Sequence, residues 1–346
     1  MENRVNYEKK YTLLLYTAII GVIAFSLLRM KNIGIIDTNT LQSFAIIFTS
    51  IILEGIPFIL LGALVSALIQ VFVSEETITK IIPKNKFLGF LGASLMGFIF
   101  PVCECAIIPI ARRLIKKGLP LGLGVTFMLA VPIVNPVVLL STYYAFYDKP
   151  SMVIMRGGFG IIAAITIGIL ISMVEKRAIS PLKSSSYKDE YGCNCGCDIN
   201  NPLYKYKSKF SIILDHTTRE FLSISKYLIF GAFISGVFQT LVSRDLMASL
   251  GGKPMASIGI MMALAFLLSI CSEADAFIAR TFLSQFTVGS ILGFLLLGPM
   301  LDIKNTFMLF GNFKGKIAIL LTVYIGLVVF IIAAYTNVAV MFGVIK

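Results

Sequence analysis

Long apolar stretches constrain the fold of this chain more than any other feature of its sequence. A bilayer-spanning helix needs roughly 20 mostly apolar residues, because its side chains face lipid over the whole hydrocarbon thickness. Only 14% of the residues are charged, against about 25% in ordinary soluble domains. The mostly apolar stretches are 11–28, 43–73, 119–147, 151–174, 210–243, 287–301 and 317–343. The sequence therefore predicts an all-α, polytopic protein that crosses the cell (plasma) membrane several times.

The net charge of +12 fits a membrane protein better than a nucleic-acid-binding one. Lys and Arg accumulate in cytoplasmic loops of membrane proteins, and no separate basic domain is present to hold nucleic acid. The first apolar run, 11–28, follows Arg4, Lys9 and Lys10 and lacks a small-residue cleavage site. We interpret it as a retained first transmembrane helix with the N-terminus inside.

Two halves of the sequence repeat each other. Phe100–Leu114 (FPVCECAIIPIARRL) resembles Leu268–Phe282 (LSICSEADAFIARTF), with an offset of 168 residues from Cys103 to Cys271. Segments before and after these motifs match at offsets of 169 and 167. A nearly constant offset indicates an internal repeat. The predicted domains are an N-terminal helix and loop (1–40), repeat one (41–175), a cytoplasmic Cys-containing linker (176–209) and repeat two (210–346).

Charge distribution predicts how each repeat crosses the membrane. If 87–111 were a crossing, strongly basic groups would lie on both sides of it, contrary to the positive-inside rule. A re-entrant helical hairpin with its tip near the midplane keeps both groups in the cytoplasm. Each repeat then has three transmembrane helices plus one hairpin, and because three is odd, the repeats are inverted. Inside loops then hold 19 Lys and Arg and outside segments seven. Four crossings per repeat, with parallel repeats, is the rival topology.

The hairpin tips contain the groups that could bind a solute. Carboxylates at membrane depth are costly and usually functional, and thiolates suit soft ions and thiophilic species. A buried Cys can equally be packing, and a Glu can equally cap its own helix end. The tip candidates for substrate binding and translocation are Pro101, Cys103, Glu104 and Cys105 in repeat one and Cys271, Glu273 and Asp275 in repeat two. Arg280, five residues after Asp275, is a candidate ion-pair partner for it.

Polar residues also interrupt one apolar run in each repeat. Asn135 and Pro136 interrupt 119–147, and Asp302 lies at the matching place in repeat two. Unwound points of this kind line the pathway in many transporters. A simple kink, or the end of a helix, remains the alternative.

The linker contains Cys193, Cys195 and Cys197 within five residues. C-x-C-x-C is not a usual zinc-finger spacing, but three close thiols can chelate a soft metal ion. A reduced, solvent-exposed loop is the alternative. No cofactor is required by the sequence, and a soft metal ion at these cysteines stays open.

No enzyme motif is present. The sequence lacks G-x-x-x-x-G-K-[ST], H-E-x-x-H and G-x-S-x-G. We therefore predict neither ATP-driven transport, which needs the first motif, nor the hydrolytic chemistry of the other two.

The tip and break motifs, PVCECAIIPIARRL, MLAVPIVNPVV and CSEADAFIARTF, resemble the predicted-permease family that includes the ArsP-type methylarsenite efflux permeases. The resemblance covers nearly all of 41–343. It implies a permease, and in family members linked to arsenical resistance the exported solutes are trivalent organoarsenicals.

Three functions follow as hypotheses. The first is secondary efflux of a soft or thiophilic solute, such as a trivalent organoarsenical, through a central site at the two tips, with the carboxylates supplying coupling protons or polar contacts. The second is a metal-ion permease or metal-delivery protein that is loaded through the linker. The third is a membrane thiol–disulfide or electron-transfer protein, against which the absence of C-x-x-C counts. The expected partners are the lipid bilayer and a small-molecule or ion substrate, with a homodimer or an accessory subunit left open.

Overall fold

The computed structural model describes residues 38–74, 85–99, 102–175, 209–241 and 254–343. The chain divides into two compact units, Met1–Ile47 and Phe48–Lys346. In the first unit only the opening turns of one helix are described, and the contacts discussed below lie in the second. The predicted first helix, 11–28, and nearly all of the linker lie outside the described residues.

The described residues form twelve α-helices, six from each predicted repeat. Repeat one contributes α1 (Thr38–Phe72), α2 (Lys86–Leu95), α3 (Glu104–Lys116), α4 (Leu121–Val134), α5 (Pro136–Ala145) and α6 (Ser151–Glu175). Repeat two contributes α7 (Lys209–Leu241), α8 (Pro254–Leu268), α9 (Asp275–Thr281), α10 (Val288–Met300), α11 (Ile303–Asn312) and α12 (Gly315–Met341). The predicted all-α polytopic architecture is confirmed.

Helix length separates spans from shorter elements. Five helices in the described part of the chain are long and apolar enough to cross a membrane, and a sixth span results if the bent pair α4–α5 counts as one. These six fall three to a repeat. The shorter apolar helices Phe87–Phe98 and Met255–Leu268 lead to the two predicted tips. The re-entrant course of these segments, the inverted orientation and the domain boundaries stay predictions.

Each repeat breaks one apolar run in the same way. In repeat one, Asn135 lies between α4 and α5, which are bent by 40°. Its side-chain oxygen accepts a hydrogen bond from Val137 N at 3.0 Å, and Pro136 occupies the first position of α5. Proline fixes φ and favours extended geometry in the residue before it, so this sequence both ends one helix and starts the next. In repeat two, Asp302 caps α11 and accepts a hydrogen bond from Asn305 N at 2.6 Å.

Helix contacts repeat as well. Helix α4 packs on α6, as α10 packs on α12, and α2 packs on α4, as α8 packs on α10. The two repeats also exchange contacts, since α5 of repeat one packs on α9 of repeat two and α11 of repeat two packs on α3 of repeat one. The two contacts are equivalent in the repeats, since α5 corresponds to α11 and α9 corresponds to α3.

Close packing of α10 on α12 depends on a glycine. A Cβ at Gly289 would overlap the carbonyl oxygen of Ala333 and lie 2.6 Å from Asn337 Oδ1. Small residues allow this approach between membrane helices, where van der Waals packing replaces the hydrophobic effect as the main attraction. The Gly289 N–H also donates to Asn337 Oδ1 at 2.9 Å.

We expect Gly289→Ala to destabilise the protein by about 1–3 kcal/mol, because the added methyl group forces α10 and α12 apart. The matched control is Gly326→Ala in α12, where an added Cβ meets nothing within 4 Å and helix propensity favours alanine. Thermal unfolding in detergent measures both. Equal midpoints for the two variants would show that this helix contact is not tight.

Candidate functional site

The first tip presents three buried side chains at the start of α3. Cys103 is the N-cap residue, with φ −77° and ψ 172°, and Glu104 and Cys105 open the helix. All three are buried. The N-terminus of a helix favours negative charge, because its free N–H groups and the helix dipole point there. Glu104 is therefore at a position that tolerates a carboxylate even at 1% exposure.

The second tip is a turn between α8 and α9. Ser269 directly follows α8. Among the described non-glycine residues it alone has a positive φ, +46°. Its hydroxyl accepts a hydrogen bond from Ile303 N at 3.2 Å, so the start of the tip is attached to the start of α11. Cys271 is buried, and its thiol donates to Glu273 Oε2 at 3.7 Å. Glu273 itself is half-buried.

The two tips meet through equivalent residues of the two repeats. Ser272 Oγ donates to Glu104 Oε2 at 3.2 Å, across a sequence separation of 168 residues. Cys103 and Cys271, which directly precede Glu104 and Ser272, are also 168 residues apart, and both are buried in the same hydrophobic cluster as Cys105. The same offset defined the repeat in the sequence. Equivalent positions of the two repeats therefore meet at this site.

Asp275 has a different partner from the one that its sequence neighbours suggest. Both of its carboxylate oxygens accept from Arg156 of α6, at 2.9 and 2.6 Å, and the guanidinium is fully buried. Arg156 also donates to Thr142 Oγ1 at 2.8 Å and to the Ser272 carbonyl at 3.3 Å. The prediction that Arg280 pairs with Asp275 is wrong. Arg156 is one of the seven Lys and Arg residues that the topology prediction counted in outside segments, and its side chain is fully buried in the protein.

Arg280 instead pairs with Asp148 in the loop between α5 and α6, where Nη2 lies 3.0 Å from Oδ2. The guanidinium holds the pKa of the Asp148 carboxyl below its usual range, chiefly by hydrogen bonding. Because a lowered folded-state pKa favours the folded protein above the ordinary Asp pKa, this contribution is present at neutral pH and is lost as the solution becomes acidic. Solvent exposure keeps it small.

A second buried charge pair lies beside the first tip. Lys304 Nζ is 3.5 Å from Asp302 Oδ2, and both side chains are buried. The charges of Lys304 and Asp302 also interact with Glu104. This part of the site therefore combines two carboxylates with one ammonium group, and the ion pair between Lys304 and Asp302 compensates one of the two carboxylates.

A small cavity opens next to Glu104. It has room for about one water molecule and is lined by residues of both repeats: Glu104, Ile107, Ile108, Met128, Pro299, Met300, Asn305 and Leu309. Glu104 Oε1 and Asn305 Oδ1 are buried there without a hydrogen-bond partner. Unpaired buried acceptors are costly, so this cavity favours a group that donates a hydrogen bond.

The predicted residues thus fall into four groups. Cys103, Glu104, Cys105 and Cys271 come together with Asp302 nearby, whereas Asp275 and Glu273 lie on the second tip beside them. Asn135 is buried, caps α5, and has an amide nitrogen without a hydrogen-bond partner. Pro136 is half-buried behind it. Pro101, Cys193, Cys195 and Cys197 lie outside the described residues. Within the described ranges, no three His, Cys, Asp or Glu side chains are arranged to hold a metal ion.

Sequence reasoning missed Arg156 and Thr142 as parts of the site. A signal was available, because Arg156 lies within the apolar run 151–174, and a charged residue inside a span usually faces the protein interior.

Comparison with known proteins identifies the family. A family model described as predicted permease (ArsP_1) matches residues 40–338. The chain belongs to this predicted-permease family. It is 44% identical over 285 residues to the UPF0718 protein YcgR of Bacillus subtilis, a match that covers 82% of this chain and 93% of that protein.

A second relative, from Streptococcus mutans, is named a putative two-component membrane permease complex subunit. It is 40% identical over 284 residues, which are 81% of this permease-family chain and 90% of the relative. No solved structure matches the chain. The family and the helices together show a multi-pass membrane protein, as the sequence predicted.

Proposed function

We propose that this permease-family protein is a secondary transporter that exports a soft or thiophilic solute, such as a trivalent organoarsenical, through the site where the two tips meet. The observation that supports this most is the hydrogen bond between Ser272 and Glu104, which joins the tips of the two repeats where Cys103, Cys105 and Cys271 are buried in one cluster. Soft thiol ligands select thiophilic species over hard ions. A site shared by the two repeats at broken helices is also the usual place for a transported solute.

The chemistry of such a solute is reversible at this site. A trivalent organoarsenical R–As(OH)₂ reacts with two thiols, forming two As–S bonds and releasing two water molecules, with no change in oxidation state. Water reverses the reaction on the other side of the membrane. Burial of the thiols excludes water from the site in the closed state. The As–S bonds are then protected from hydrolysis, which favours capture of the solute.

Export is expected to fall to the background level when Cys103 or Cys271 is replaced by Ser, because these are the equivalent thiols of the two tips and the solute then cannot be bound by both of them. The measurement is growth and arsenic accumulation in cells challenged with trivalent methylarsenicals, arsenite, zinc or copper. The matched control replaces Cys193, Cys195 and Cys197 together by Ser. Full export by Cys103→Ser would contradict the proposed site, and loss of zinc or copper tolerance in the linker variant alone would favour metal-ion transport.

The partner is a further part of the proposal. Because one relative is named a subunit of a two-component permease complex, we propose that this chain works with a second membrane component. The mass of the complex extracted from native membranes in mild detergent tests this. A mass that fits one or two copies of the chain alone would contradict an accessory subunit.

A further inference from the structure

Several hydrogen bonds attach the second tip to repeat one, including one from Ser141 to the Glu273 carbonyl, and the side chain of Arg156 adds the fully buried ion pair. Arg156 of α6 donates both terminal nitrogens to Asp275, and one of them also to the carbonyl oxygen of Ser272. Thr142 of α5 orients the guanidinium from the other side, at 2.8 Å. A forked guanidinium fixes both the distance and the direction of a carboxylate, which a point charge or an apolar contact does not.

The residues that Arg156 holds are those that form the meeting point of the tips. Ser272, whose carbonyl it binds, places its hydroxyl 3.2 Å from Glu104. Cys271 and Cys103 directly precede Ser272 and Glu104, so the two buried cysteines flank this hydrogen bond from opposite repeats. A shift of this backbone segment would therefore move the Ser272 hydroxyl and the Cys271 thiol together, away from the first tip.

We propose that Arg156 is the positioning residue of the thiol site: its bonds to Asp275 and to the Ser272 carbonyl hold Cys271 against Cys103, so that the two-sided thiol site exists only while this ion pair is made. The inference rests on the proposed function in treating these thiols as the solute site. Release of the pair separates the thiols and exposes each singly, which is the change that a solute needs in order to leave.

The test uses the purified full-length chain in which Cys105, Cys193, Cys195 and Cys197 are Ser, so that Cys103 and Cys271 are the only two thiols. Two reactions are followed. A monofunctional maleimide reports the exposure of each thiol. Phenylarsine oxide, which forms two As–S bonds and releases one water molecule, reports whether both thiols are close enough to be bridged.

Arg156→Lys keeps the charge but removes the fork, so this variant is expected to fold. We expect maleimide labelling to accelerate and bridging affinity to fall, each by roughly ten-fold, the scale of one charge-assisted hydrogen bond. Thr142→Val leaves both charges of the ion pair intact. It is expected to raise the rate of maleimide labelling and to lower the bridging affinity, each by less than Arg156→Lys does. The matched control is Arg219→Lys, whose Arg pairs with Asp215 at 3.1 Å on an exposed face of α7.

Unchanged labelling and bridging in Arg156→Lys would overturn the inference. A rise of both reactions would also overturn it, because it would indicate that the protein as a whole had become less tightly packed. If Cys103 and Cys271 cannot be bridged even with Arg156 present, the thiol site itself is wrong and the inference is wrong with it. If the thiols respond as expected but cells export no arsenical, the inference stands and the proposed solute is wrong.

Discussion

Arg156→Leu is expected to destabilise the folded protein by about 3–5 kcal/mol, because it leaves the carboxylate of Asp275 buried without its counter-charge. Arg156 is fully buried and supplies both bonds to this carboxylate, so little water can reach Asp275 to replace them. The loss should appear as a large drop in the midpoint of thermal unfolding in detergent.

The double variant Arg156→Leu, Asp275→Leu separates charge from packing. Replacing both members of a buried pair by apolar residues is often neutral in stability, so most of the loss should be recovered. The comparison is Arg280→Leu, which breaks the exposed pair with Asp148 and should change the midpoint little. If Arg156→Leu unfolded at the midpoint of Arg280→Leu, the buried pair would contribute no more than the exposed one.

The second large effect is expected at Asp302 and Lys304. Asp302→Asn keeps an oxygen that can cap α11 but removes the charge beside buried Lys304. We expect a loss of up to about 3–5 kcal/mol, because Lys304 then loses its ion-pair partner and keeps only the interaction with Glu104. Thermal unfolding in detergent again measures it, and a midpoint equal to that of the unaltered protein would show that Lys304 is charge-compensated elsewhere.

Repeat one supplies the matched control for this pair. At the offset of 167, Asn135 corresponds to Asp302 and Val137 corresponds to Lys304, so repeat one forms the same helix break without charges. The double variant Asp302→Asn, Lys304→Val copies this arrangement and should recover most of the stability. If the proposed function holds, solute export is expected to be impaired in this variant, because the ammonium group beside Glu104 is gone. Recovery of both stability and export would show that the charges serve neither.

The sequence was sufficient to predict those features of the fold that depend on residues close together in the chain. Proline at 136 and the polar residues at 135 and 302 end helices by themselves, so both breaks could be predicted. The matching Cys103 and Cys271 motifs indicated two equivalent tips. The direct meeting of equivalent positions, with Ser272 against Glu104, is a property of the assembled repeats and needed the structure.

The partner of Asp275 could not be predicted from local sequence. Arg280 follows it by five residues, which on an α-helix places the two side chains about 140° apart around the axis. They therefore face different surroundings, and each pairs with a residue more than 100 positions away in the chain. Pairing across such distances depends on which helices pack together, and one sequence does not contain that information.

The exchange of helices between the repeats has a consequence for truncated forms of this protein. Since α9 rests on α5 and α3 rests on α11, a chain that ended in the linker would lack the surface that covers its own tip. The carboxylate and thiols there would then face lipid, where unsatisfied polar groups are not tolerated. The first repeat alone is therefore not expected to fold stably. A premature stop codon in the linker should give a product that the cell degrades.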